Sequence, residues 1–152
     1  MTNIDGLDYE TFSSVPLGGK EGRGLPNYVA SPDFRALIVS VAKDEDWVFT
    51  YDFVHNIVYE TGVQPFECDA FEEFKKYMDE KEGIIMAHNA PFERAVTKKI
   101  LPDFDWRRFQ DSAVDARCLG AESKLIVASR QLTNSHKLEE GHDLVMLFCV
   151  PN

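Results

Sequence analysis

Basic residues are scarce in this chain: 16 Lys and Arg stand against 26 Asp and Glu, a net charge of −10. A protein that holds nucleic acid by counterion release normally presents a basic face, so total charge alone predicts no nucleic-acid partner. Two routes around that exclusion stay open: a local basic strip, or metal ions that bridge acidic side chains to phosphates. Cysteine is scarce as well. Cys68, Cys118 and Cys149 are odd in number, widely spaced and without a CxxC pair, which argues against a disulfide scaffold and against a zinc knuckle. No apolar run approaches the roughly 20 residues of a membrane span, and the opening residues lack a signal-peptide pattern. The expectation is a protein of the reducing cytoplasm with no membrane partner. Repeats and low-complexity segments are missing too. What remains is one domain over residues 1–152, 44% hydrophobic and with 11 Phe, enough to build a packed core.

Leu7-Asp8-Tyr9-Glu10-Thr11 reads as a short strand. Side chains alternate on a strand, so Asp8 and Glu10 share one face while Leu7 and Tyr9 share the other. Two anions on one face repel unless a cation lies between them; a pair of solvated surface acids is the plainer alternative. Residues 13–27 form a Gly/Pro/Ser-rich stretch that reads as a flexible loop or a substrate-contacting flap. It is not a phosphate-binding Walker loop, because Glu21 follows Lys20. The runs Leu37–Ala42 and Trp47–Phe53, split by the charged turn Lys43–Asp46, have a hairpin signature and predict an antiparallel meander with the first strand.

Asp69–Glu80 has helical spacing, with Phe71, Phe74 and Met78 on one face. Ile84–Ala87 then reads as a short buried strand. It leads into His88-Asn89-Ala90-Pro91-Phe92-Glu93-Arg94, which opens a second helix with Pro91 in its first turn. Phe92, Val96 and Ile100 are expected to face the core, which leaves Glu93 at the edge of the buried stripe, within reach of a groove beside the sheet. Glu93 could equally serve only to complement the helix dipole. Residues 103–111 read as a connector, and helices are expected at about 112–119, about 123–132 and 141–149. This order predicts an α/β fold with a mixed β-sheet and flanking helices.

The acidic pair on an opening strand and a glutamate reached through H-N-x-x-F-E make a joint signal. It resembles the 3′–5′ proofreading exonuclease domain of phage-type family A DNA polymerases, members of the DEDD superfamily with a ribonuclease-H-like fold. Asp8 and Glu10, with Thr11 after them, match the first motif; Asn89, Phe92 and Glu93 match the second, with Glu where Asp is more usual. Asp111-Ser112 with Ala116–Gly120, and Lys137–Pro151, are similar to later segments of that family. The family's third motif, a Tyr or His and an Asp on a later helix, has no counterpart: no Tyr follows Tyr77 and the last Asp is Asp143. The resemblance therefore implies an exonuclease domain incomplete at its C-terminus. The chain is then either a split subunit, with its missing motif expected on another chain, a polymerase or a C-terminal exonuclease segment, or a truncated fragment.

Phosphodiester hydrolysis needs an activated water and a stabilised leaving oxygen, and two divalent ions roughly 3.5–4 Å apart supply both. The resemblance implies two Mg²⁺ or Mn²⁺ ions held by Asp8, Glu10 and Glu93, which are also the catalytic set. A single-stranded DNA 3′ end would be contacted by Thr11, Asn89 and Phe92. Host cytoplasm is the implied location if the chain is phage-encoded. Several residues keep two readings. His88 is a substrate contact or a satisfied strand-end histidine; Asn89 meets the terminal nucleotide or caps a helix; Phe92 stacks on a base or packs in the core. Arg94, Lys98, Lys99, Arg107 and Arg108 form either the local basic strip or a solvated face. His136 and His142 have no placement, and Asp111, Asp115 and Asp143 are candidate substitute ligands. The rival to an enzyme is a non-catalytic binding module of the same fold that meets a polymerase or another replication protein.

Overall fold

The computed structural model describes residues 4–20, 22–43 and 47–133. The first strand, β1 (Ile4–Phe12), alternates between buried and open positions along its length: Asp5, Leu7, Tyr9 and Thr11 turn inward, while Asp8 and Glu10 turn to the opposite face. That is the alternation expected from the sequence. β2 (Arg35–Ala42) and β3 (Val48–Asp52) complete the antiparallel meander. It is extended by two strands that the sequence reading left out, β4 (Ile57–Glu60) and β5 (Phe66–Glu67). Beyond Ser13, Pro26 starts a short helix, α1 (Leu25–Ala30), so the last part of the expected 13–27 loop is helical and buries Tyr28 and Val29. Residues 44–46 of the expected hairpin turn lie outside the described residues, as do Lys137–Pro151, the helix expected at 141–149, His136, His142 and Asp143.

The second half crosses over. α2 (Ala70–Glu80) begins at Asp69, whose side chain accepts from the Glu72 amide at 3.1 Å, a regular N-cap. Its Phe74 and Met78 are fully buried and Phe71 packs beside them. β6 (Ile84–Ala87) returns parallel to β1 rather than extending the meander, and α3 (Pro91–Ile100) follows. β7 (Phe109–Asp111), parallel to β6, occupies the end of the stretch expected as a connector; α4 (Ser112–Cys118) and α5 (Leu125–Leu132) come next. Among the described residues the strands form one mixed sheet in the order β5-β4-β3-β2-β1-β6-β7 with helices against it, an α/β architecture. No helix among them is long and apolar enough to cross a membrane.

The core lies between the inward face of this sheet and α2 and α3, with Tyr9, Tyr51 and Phe74 in edge and tilted ring contacts. One buried charge cluster braces its margin. Lys81, at the end of α2, places Nζ 2.8 Å from Asp5 Oδ1 with both side chains almost wholly buried, and the Tyr77 hydroxyl donates to Asp5 Oδ2. The Lys81 contact is an ion pair without the geometry of a directed hydrogen bond. Burial, and then the hydrogen bond to Asp5, push the Tyr77 hydroxyl's pKa upward.

Two features position the site. β1 pairs with β6 only from Ile4 to Gly6, close to where β6 ends, and beyond that ladder Leu7, Asp8, Ala87 and His88 line an open crevice. Strands leave β1 in opposite directions here, β2 on one side and β6 on the other. Such switch points are where open α/β sheets place ligands. The register between β1 and β2 also shifts between Glu10 and Thr11, which leaves Leu37 as an extra residue. Bulges of this kind re-aim side chains.

Candidate functional site

α3 brings its acid to the crevice through one buried hydrogen bond. Tyr9 on β1 and Thr97 on α3 share a contact of 3.0 Å between hydroxyl oxygens. Glu93 lies one helical turn before Thr97 on the same face, so the bond that ties α3 to β1 also sets Glu93 beside that strand. The sequence reading put Glu93 at the edge of the buried stripe; the structure buries it to 3% exposure. Its Oε2 is enclosed and has no hydrogen-bond partner. Burial raises its pKa to about 8, and the negative charges of Asp8 and Asp111 push the same way against its own backbone N–H.

Asp8 and a residue that sequence reasoning named only as a possible substitute ligand, Asp111, thus lie close enough for their charges to act on Glu93. Asp8 is exposed on the face opposite the core, and Glu10 is half-buried beside the bulge. Asp111 ends β7, and its Oδ1 accepts from the backbone N–H of Asn89 and of Ala113, both at 2.9 Å. It therefore caps α4 and fastens the turn before α3. All of these donors are hard oxygens, the class that Mg²⁺ and Mn²⁺ prefer. Among the described residues no group of three or more His, Cys, Asp or Glu forms a ready-made cage for an ion.

The three residues expected at substrate sit differently from one another. Asn89 is exposed and in the left-handed region, φ 66°, a conformation that Asn tolerates better than most. It does not cap α3: the N-cap position is Ala90, and no side chain bonds there. Thr11 is buried, with its hydroxyl 2.9 Å from that of Tyr28. Phe92 is half-buried and packs its ring 6.2 Å from the ring of Tyr28, against the core. Tyr28, which the sequence reading passed over just beyond a presumed loop, thus fixes both Thr11 and Phe92. The signal available for it was Pro26 at a helix start followed by an apolar pair.

His88 is a satisfied strand-end histidine. Nε2 donates to the Ser123 carbonyl at 2.7 Å, and Nδ1 shares a contact of 3.0 Å with the Ser112 hydroxyl. Lys98 and Lys99 are exposed at the end of α3, whereas Arg94 and Arg108 turn to backbone carbonyls. Asp115 accepts from the Gln110 side chain at 2.9 Å. No protein-family model matches this chain, and no curated protein matches it in sequence.

Proposed function

We propose that this chain is a 3′–5′ DNA exonuclease domain with a ribonuclease-H-like fold, acting in proofreading beside a phage-type DNA polymerase. The observation that carries the reading is Glu93: a buried carboxylate with an unpartnered oxygen, next to Asp8, at the point where β1 leaves β6. Burying an anion without a counter-charge is costly, and a protein retains such a group where a proton or a cation completes it.

Asp8, Glu10 and Glu93 would hold divalent Mg²⁺ or Mn²⁺, which supplies an activated water and charge neutralisation at the scissile phosphate. The residues of this chain contribute the rest. Tyr9 and Thr97 hold Glu93 in place, and the bulge beside Glu10 sets the aim of the strand. Asp111 holds the Asn89 turn, where a terminal nucleotide would rest. Tyr28 keeps Thr11 and Phe92 fixed beneath it.

The test is shortening of a 3′-end-labelled single strand in Mg²⁺ or Mn²⁺, alone and with a polymerase or exonuclease segment that carries the third motif. Metal-dependent shortening lost in both Asp8→Ala and Glu93→Gln supports the reading. Shortening that survives both substitutions, or none under any condition, refutes it. The net charge of −10 favours a second reading, a non-catalytic module of the same fold that meets a replication protein. That reading gains if the chain binds a polymerase but never cleaves.

A further inference from the structure

Beyond β7, the last strand in the sheet order, lies an open groove of about 770 Å³. Arg94, Arg107, Arg108 and Arg117 line it together with Asp111 and Asp115. In a chain with only 16 basic residues and a net charge of −10, four arginines around one hollow is a local reversal of charge. The two acids are already engaged: Asp111 accepts two backbone N–H groups, and Asp115 accepts from Gln110. The arginines have donors to spare. Arg94 gives one N–H to the Phe109 carbonyl at 2.6 Å, while its Nε is buried and unpartnered. Arg108 holds the Gly83 carbonyl at 3.2 Å and that of Lys81, so its guanidinium is fixed at the start of β7. Arg107 and Arg117 are exposed, and Arg107 meets the exposed Asp105 at 3.5 Å.

Two further observations bear on the groove. Asn89 and Asp111 are part of its lining, and the charge of Asp111 acts on Glu93. Trp106, next to Arg107 in the chain, is 44% exposed, with the Arg107 guanidinium 5.5 Å from the centre of its ring. A cationic track for phosphates beside an open aromatic face is the arrangement that binds single strands without reading sequence. We propose that this groove carries the backbone of a single nucleic-acid strand along its arginines toward the Asn89 turn, with Trp106 beside Arg107 as a stacking face. Its destination rests on the nuclease reading above; strand binding itself does not.

The experiment is fluorescence anisotropy with a labelled oligo-dT in chelator at low salt, comparing wild type, the pair R107E/R117E, W106A and a charge-matched control, K75E/K76E, on exposed positions of α2. All five substituted positions are surface residues, and a thermal melt checks that each variant stays folded. Wild type binds weakly; R107E/R117E loses about ten-fold or more and lowers the salt slope by roughly 0.7 per phosphate contact removed. W106A loses several-fold at an unchanged slope, and K75E/K76E stays close to wild type. Equal losses in R107E/R117E and K75E/K76E, retention of binding in R107E/R117E, or no wild-type binding each overturn the groove. Asp8→Ala keeps groove binding in chelator. Groove binding without any metal-dependent shortening therefore overturns the nuclease reading alone, and shortening that R107E/R117E does not slow overturns the groove alone.

Discussion

Replacing Glu93 by Gln keeps the shape of the side chain and removes its charge, so it isolates the cost of ionising that carboxyl in the crevice. Its pKa is about 8 in the folded chain against an ordinary 4.5. The folded state therefore holds a proton that the unfolded state releases. An acid raised in this way contributes stability that is fully present below pH 4.5 and is lost as pH rises toward 8. At about 1.4 kcal/mol per pH unit the gap corresponds to roughly 5 kcal/mol as an upper bound. In chelator, wild type should thus lose stability between pH 5 and 8 relative to Glu93→Gln, and the variant should be the more stable protein at pH 8–9. Urea unfolding of both proteins at half-unit steps from pH 4.5 to 9 measures this directly. Mn²⁺ should restore wild type at pH 8 and leave Glu93→Gln nearly unmoved. Parallel pH profiles for the two proteins, or a Glu93→Gln variant less stable than wild type at pH 8, would refute the claim that this carboxylate is an unmatched buried charge.

Three other outcomes are expected. Asp8→Ala should not lower the melting temperature in chelator, because removing an exposed acid relieves repulsion with Glu93; a loss above roughly 2 kcal/mol would show that Asp8 is structural. Lys81→Met strands Asp5 in the interior and should cost about 3–5 kcal/mol in denaturant unfolding, with Asp5→Asn in the same chain recovering much of it; additive losses would contradict the ion pair. Tyr28→Phe removes the bond to Thr11 and should cost about 1 kcal/mol, read from the same unfolding curves.

Much of the fold could be read in the sequence where burial is local. The alternation in Ile4–Phe12 and the two apolar runs after it fix β1, β2 and β3, because each strand has one face on the core. Phe71, Phe74 and Met78 did the same for α2. The strands that escaped are short or paired at a distance: β5 spans two residues, and β7 three, in a segment rich in Asp and Arg. Parallel pairing of β6 with β1 leaves no turn signature, since the partners are far apart in sequence. The site divides in the same way. That Asp8 and Glu10 share a face follows from a period of two, whereas the depth of Glu93 depends on how α3 docks. Helical spacing placed it at an edge; the Tyr9–Thr97 bond draws that edge inward. Asn89 looked like a cap because its type suits one, yet a left-handed backbone took it out of the cap position.

That Tyr9–Thr97 bond joins positions 88 residues apart. The strands from β1 to β5 follow one another by antiparallel pairings between chain neighbours, contacts of lower sequence separation that are expected to form first. Asp8 and Glu10 belong to that early unit; Glu93 reaches them only after a long chain segment has closed and β6 has aligned with β1. The crevice is consequently expected to form late as this protein folds and to open early as it unfolds. An ion bound across it would act as a clasp, holding a late-arriving half against an early one and slowing their separation more than it speeds their meeting.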